Sequence, residues 1–264
     1  MTKSHKSQLL RMYEEKAKLK KIKDKVYYES ESIFHKGIPM VQGKDIEFKA
    51  AIFDLDGVVV DTVPIHFKAW KQMFEEYGKK FTFQDYKEKV DGIPRIDGGR
   101  AILTDLSDKE LIEATEKKQG YFLEYLKKEK IEVFKPTLRL IEELRAKGIK
   151  MAVISSSKNL PYILQKIGII KLFDAEVNGN EITKGKPHPQ IFLMAAEKIG
   201  VKPETCVVFE DAVLGVTAAK RAKMLCMGID RYNDPKRLKE ADLVVSDLKE
   251  INYAKLLSLF GKRG

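Results

Sequence analysis

Asp54 and Asp56 end an apolar run, Ala51-Ile52-Phe53-Asp54-Leu55-Asp56-Gly57, two residues apart across a turn that Gly57 makes easy. Three later segments also bring polar residues to points where a hydrophobic strand or loop stops. They are Ser155-Ser156-Ser157-Lys158-Asn159, Lys184-Gly185-Lys186-Pro187-His188-Pro189 and Cys206-Val207-Val208-Phe209-Glu210-Asp211. Together they make a set of parts for phosphoryl transfer, which depends mostly on positioning and electrostatics. Asp54 is suited to attack phosphorus as a carboxylate nucleophile. Asp56 follows in the same turn and can give or take the proton of the leaving or attacking oxygen. Ser155 and Lys186 can hold the transferring oxygens by hydrogen bond and charge. Asp54, Asp56 and Asp211 at one edge would repel one another without a cation, and hard oxygen ligands beside a phosphate point to Mg²⁺.

Each segment taken alone has a plainer explanation. Asp-x-Asp-Gly after a strand serves as a turn. The serine run supplies an N-cap, and Lys-Pro-His-Pro suits a helix start. Glu210 and Asp211 favour the N-terminus of a following helix. Four such segments in one compatible order, three of them fed by strands, are not expected by chance. Parallel strands deliver their C-terminal ends to one sheet edge, where open α/β folds bind ligands.

The run Asp54-Leu55-Asp56-Gly57 with Asp61-Thr62 resembles the opening motif of the haloacid dehalogenase-like superfamily, and the resemblance covers about residues 49–264. It implies a Rossmann-like α/β core with a parallel sheet. It further implies that Asp54 is the nucleophile and a metal ligand. Asp56 is implied as the acid/base, with its backbone carbonyl on the metal. Ser155 would be the phosphate-binding hydroxyl, Lys186 the charge-stabilising lysine, and Asp211 a metal ligand with Glu210 beside it as ligand or support.

Between the first and second segments lie about ninety residues of helical character. Helices are predicted over 64–77, ending at Gly78, over about 83–90, and as longer runs between 107 and 130. Such an insertion, taken as 65–132, would form a cap able to close over the site and exclude water. Asp61-Thr62-Val63-Pro64-Ile65-His66-Phe67-Lys68-Ala69-Trp70 is similar to the start of the β-phosphoglucomutase group, and His66 and Trp70, four apart, share a helix face. The same resemblance makes Gly92 and Arg95 part of a cap loop whose arginine binds a substrate phosphate, and Lys118 a cap lysine reaching toward the site. Ser156, Ser157, Lys158 and Asn159 resemble a second phosphate-binding loop. The stretch 90–100, with Pro94 and an Asp-Gly-Gly-Arg tail, departs from the mutases toward a branch of hydrolases. The implied substrate is a small sugar phosphate, handled by a mutase or by a phosphatase with water as acceptor. A phosphonate hydrolase would require a cap lysine as Schiff base, with Lys118 the candidate. A catalytically silent binding module would have no need of both Asp54 and Asp56.

At 264 residues the chain accommodates one α/β core, 49–64 with 133–264, plus the small cap. Beyond the cap, strands are expected at 149–154, near 175–177, 206–209, 224–228 and 243–245. Helices are expected at 158–167, 187–199, 212–222 and 248–259, with Gly215 allowing close packing. Residues 1–48 form a basic extension with a helix over 7–26, and its lysines carry much of the +10 formal charge. A solvated helix face accounts for them without a specific nucleic-acid partner, although a basic arm attracts polyanions or anionic lipid nonspecifically. No apolar run approaches the roughly 20 residues of a membrane span, and the N-terminus does not read as a secretory leader. Cys206 and Cys226 are expected as buried, reduced thiols, which suits a cytoplasmic enzyme. The oligomeric state is left open.

Overall fold

A computed structural model of the protein describes residues 47–261, so the predicted helix over 7–26 lies outside the described residues. Six strands form one parallel sheet: β1 (Ala50–Asp54), β4 (Lys150–Ile154), β5 (Ala175–Val177), β6 (Cys206–Glu210), β7 (Leu225–Ile229) and β8 (Leu243–Val245), in the order β5-β4-β1-β6-β7-β8. A two-stranded antiparallel ribbon pairs β2 (Val60–Asp61) with β3 (Glu132–Val133). Strand periodicity splits the buried residues into two layers. Ala51, Phe53, Val153, Val207, Phe209 and Met227 face one side; Ala50, Ile52, Ala152, Val208 and Cys226 face the other. Phe53 and Phe209 stack across neighbouring strands with ring centroids 4.5 Å apart.

Helices α5 (Lys135–Ala146), α6 (Leu160–Lys166) and α9 (Tyr253–Phe260) cover the first layer through Leu140, Leu144, Ile163 and Phe260. Helices α7 (Gln190–Lys198) and α8 (Val213–Arg221) cover the second through Ile191, Phe192, Val216 and Ala219. The chain runs outward from β4 to β5 over one face, then returns by α7 over the other face to β6, on the far side of β1. That reversal leaves a crevice at the carboxyl end of β1, flanked by β4 and β6. Three of the four polar segments are thereby gathered at adjacent strand ends.

The helical stretch comprises α1 (Val63–Glu76), α2 (Phe83–Lys89), α3 (Arg95–Arg100) and α4 (Asp108–Lys128). Capping boxes start two of them: Thr82 with Asp85, and Ser107 with Glu110. Trp70, Met73, Phe74, Phe81, Tyr86, Leu103 and Leu111 form a third apolar cluster, separate from the two sheet layers. Ile65, Ala69, Phe122 and Leu126, at the near ends of α1 and α4, pack instead into the first sheet layer.

Several elements differ from expectation for local reasons. The region 107–130 holds one 21-residue helix rather than several. Helix α6 starts at Leu160, because Ser157 Oγ accepts the Asn159 backbone N–H in a side-chain turn. Helix α7 starts at Gln190, after two prolines that lack backbone donors. The expected helix over 248–259 divides into a short 3₁₀ turn and α9, since Asp247 caps Lys249 N–H and Asn252 caps Lys255 N–H. Helix α5 has no counterpart in the sequence reading, although Pro136, Leu140, Ile141 and Leu144 carry its signal.

Candidate active site

β1 ends in Asp54, and β6 ends in Glu210 followed by Asp211; all three carboxylates are buried. One oxygen from each lies within 4.8 Å of the others. Two glycines permit this crowding. A Cβ on Gly57, whose φ is +80°, would sit 1.9 Å from Asp211 Oδ2, and one on Gly215 would sit 2.1 Å from the Glu210 carboxyl. Lys186 is buried among them, with Nζ 2.5 Å from Asp54 Oδ1 and 2.8 Å from Glu210 Oε2. Burial alone would lower its pKa, but the Asp54 and Glu210 carboxylates hold it above the ordinary lysine value. Burial and the Glu210 charge raise Asp54 above the usual carboxylate range, against the pull of Lys186. Burial and Glu210 likewise raise Asp211. Three buried carboxylates facing one ammonium form a hard-oxygen donor set with excess negative charge, and that set fits Mg²⁺.

The Asp56 side chain stands outside this cluster. Its Oδ1 accepts from the Thr62 hydroxyl, and its Oδ2 accepts from Ser155 Oγ at 2.9 Å. Ser155 Oγ in turn accepts from Ser157 N–H at 3.0 Å, so the loop after β4 fixes the carboxyl from the side opposite Thr62. Gly57 N–H donates to the Val60 carbonyl at 2.8 Å, and Arg231 Nε donates to the Gly57 carbonyl at 2.6 Å. The turn carrying Asp56 is therefore held at both ends.

The helices supply the opposite wall. Lys118 is 3% exposed, lies over the rings of Trp70 and Phe122, and places Nζ 3.0 Å from His66 Nδ1. Burial, then the nearby Arg95 charge, brings its pKa down to about 7. His66 stacks on Phe122, with Nε2 3.9 Å from Asp56 Oδ1. Burial, then Lys118, pushes the imidazole well below its ordinary value. Arg95 Nη2 is 2.5 Å from Glu116 Oε1. Trp70 stacks on Phe74 and is buried.

A cavity of about 460 Å³ lies between the two walls. Asp54, Asp56, Ser155, Lys186, Glu210 and Asp211 line it from the sheet side, with Ser156, Ser157 and Lys158 beside them. His66, Trp70, Gly92, Arg95 and Lys118 line it from the helical side. Asn159 is not among the lining residues. Its Oδ1 accepts from Gln119 Nε2 at 3.1 Å, and its Nδ2 and backbone N–H both donate to Ser157 Oγ, so it braces the loop from behind. Sequence reasoning passed over Tyr86, Asp91, Glu116 and Gln119, which also line the cavity. Gln119 follows Lys118 directly, and Asp91 immediately precedes the Gly92 loop; proximity to those candidates was the available signal.

The model of the family described as haloacid dehalogenase-like hydrolase matches residues 48–223. The chain is 36% identical over 210 residues to a β-phosphoglucomutase of Bacillus subtilis, covering 77% of this chain and 91% of the relative. It is also 36% identical over 211 residues to a phosphorylated carbohydrates phosphatase of Thermotoga maritima, covering 74% and 92%. Among solved structures, a β-phosphoglucomutase from Clostridium difficile superposes with a TM-score of 0.75 at 28% identity, over 82% of this chain and 98% of that one. Among the described residues, no helix is long and apolar enough to cross a membrane.

Proposed function

The chain belongs to the haloacid dehalogenase-like hydrolases, and we propose that it transfers the phosphoryl group of a small sugar phosphate through an aspartyl-phosphate on Asp54. The observation that carries this reading is the meeting of Asp54, Lys186, Glu210 and Asp211 at one buried point of the sheet rim. An Asp54 carboxylate oxygen bonds to phosphorus as the sugar oxygen departs, and Asp56 gives that oxygen a proton. In the second half-reaction Asp56 takes the proton of the acceptor hydroxyl, which attacks phosphorus and frees Asp54. Thr62 and Ser155 keep the Asp56 carboxyl oriented in both halves. Lys186 steadies Asp54 and supplies positive charge to the transferring oxygens. Mg²⁺ would be held by Asp54, Asp211 and the Asp56 carbonyl, with Glu210 as ligand or support, and would supply charge neutralisation for the incoming phosphate dianion. The cap is proposed as 65–132, since the chain leaves and re-enters the core through the paired segments β2 and β3.

Two acceptors are compatible with this chemistry. A sugar acceptor, hence a phosphohexomutase, is favoured by a cationic helical wall: Arg95 and Lys118, joined by Lys158 from the loop after β4, line the same cavity as the nucleophile. A mutase must hold a bisphosphate in two orientations, and such a wall gives the distal phosphate a seat. A water acceptor, hence a sugar-phosphate phosphatase, is favoured by the pairing of Arg95 with Glu116, which already spends the arginine's charge. Incubation with β-glucose 1-phosphate and trace glucose bisphosphate separates them. Formation of glucose 6-phosphate supports the mutase; release of inorganic phosphate supports the phosphatase. Neither product, from any hexose or pentose phosphate, would overturn the sugar-phosphate reading.

A further inference from the structure

Asp91 is a carboxylate in the cavity wall with no part in the chemistry described above. It ends the turn after α2 and leads into Gly92, whose φ is +69°. A Cβ on Gly92 would come within 2.9 Å of the Ala212 Cβ, so this loop lies against the segment that follows Asp211. Tyr232, in the loop after β7, donates its hydroxyl to Asp91 Oδ2 at 2.8 Å. That tyrosine is itself gripped from both walls. Phe83 meets its ring edge-on, Lys87 lies 5.0 Å from the centroid and Arg237 4.6 Å. The Asp91 carboxyl is thus fixed in place by a core residue while belonging to the helical wall.

Three roles can be set aside by charge and geometry. Asp91 is not in the Asp54, Glu210 and Asp211 cluster that suits a cation. Its negative charge would repel a phosphate, so it cannot share the task of Lys118 and Lys158. It is not a simple ion-pair partner: among the described residues its side-chain hydrogen bond comes from the Tyr232 hydroxyl, not from a lysine or arginine. An ionised carboxylate is an acceptor with about four lone-pair sites. With the Tyr232 hydroxyl on one oxygen and the Tyr86 hydroxyl as a second donor, acceptor capacity remains on a residue that lines the cavity. Neutral hydroxyl donors suit that capacity, and a sugar carries several.

We propose that Asp91 determines specificity for a polyhydroxylated substrate, its carboxylate accepting a hydrogen bond from one sugar hydroxyl while Tyr232 positions it from the core. This rests on the sugar-phosphate reading above and sharpens it. The cationic residues orient the phosphate, and Asp91 orients the carbon skeleton relative to Asp54.

Binding to an Asp54→Asn background tests the assignment without relying on turnover. Calorimetry would use inorganic phosphate, glucose 6-phosphate, glucose 1-phosphate, ribose 5-phosphate, the singly deoxygenated analogues of each sugar phosphate, and glucosamine 6-phosphate. Adding Asp91→Ala should lower the affinity ratio of the best sugar phosphate to inorganic phosphate by about 10- to 100-fold, as expected for a hydrogen bond to a charged group. Adding Tyr232→Phe instead should lower the ratio in the same direction by a smaller factor, and it serves where Asp91→Ala does not fold. One deoxygenated analogue should show the same deficit in the Asp54→Asn background and lose nothing more on Asp91→Ala. A ratio that survives both substitutions, an equal loss for every analogue, or a preference for the amino sugar would overturn the role of Asp91. If no sugar phosphate binds the Asp54→Asn protein more tightly than inorganic phosphate, the sugar-phosphate reading itself falls.

Discussion

The two walls of the cavity are built by different means. The sheet wall takes Asp54, Ser155, Glu210 and Asp211 from the ends of three adjacent strands, so their positions follow from sheet register. The helical wall takes His66 and Lys118 from helices α1 and α4, 52 residues apart in sequence, Asp91 from the turn after α2 and Arg95 from the start of α3. On the sheet wall Lys186 offsets part of the negative charge at hydrogen-bond distance, through Asp54 and Glu210. On the helical wall Lys118 has an aromatic bed and a neutralised imidazole as its close partners. On the proposed function, this difference would divide the labour: the rim would perform one reaction on any phosphate ester, and the helices would decide which ester arrives.

The largest expected effect breaks the rim. Asp54→Asn should reduce kcat by roughly 10⁴-fold or more on every phosphate ester, since loss of a nucleophile is not offset by binding elsewhere. A loss confined to sugar phosphates would erase the distinction between the walls. Lys186→Met should cost about 10²- to 10³-fold in kcat, comparable to removing one donor from a charge-stabilising site. It should act equally on p-nitrophenyl phosphate and on sugar phosphates in steady-state assays.

Lys118→Met should behave differently. We expect about a 10- to 100-fold fall in kcat/KM for the best sugar phosphate, carried mainly by KM, with a smaller fall for p-nitrophenyl phosphate. The pH dependence follows from the same residue. In the folded protein Lys118 loses its proton near pH 7, whereas in an unfolded chain it keeps it to about 10.4. Between these values the unfolded chain binds more protons, so this residue makes stability to urea rise with pH. That component should vanish in Lys118→Met. Substrate affinity should run the opposite way, weakening as pH rises through about 7 while the ammonium is lost. Titrations of both proteins from pH 6 to 9 check the pair of signs.

How much was legible beforehand follows the same division. Asp54, Asp56, Ser155 and Asp211 stood out because they lie at or just past strand ends, where their residue types are unusual, and Lys186 stood out through its Lys-Gly-Lys-Pro-His-Pro run. The parallel sheet was legible from apolar runs such as Cys206-Val207-Val208-Phe209 alternating with helical stretches. Asp91 and Gln119 were hidden, since a polar residue in a helical, lysine-rich region is ordinarily solvated. Their exposure to the cavity arises only when α1, α2 and α4 pack around Trp70 and Phe74. The Tyr232 contact was hidden more deeply, because it joins residues 141 apart. Helix boundaries slipped where side chains compete for backbone donors, as Ser157 and Asp247 do.

The central claim is a covalent phosphoryl group on Asp54. It is tested most directly by acid-quenching the enzyme during turnover of a ³²P-labelled sugar phosphate and mapping the label to a peptide. The account predicts a hydroxylamine-sensitive label on the peptide containing Asp54, absent from Asp54→Asn. Label on another residue, or sustained turnover by Asp54→Asn, would contradict it.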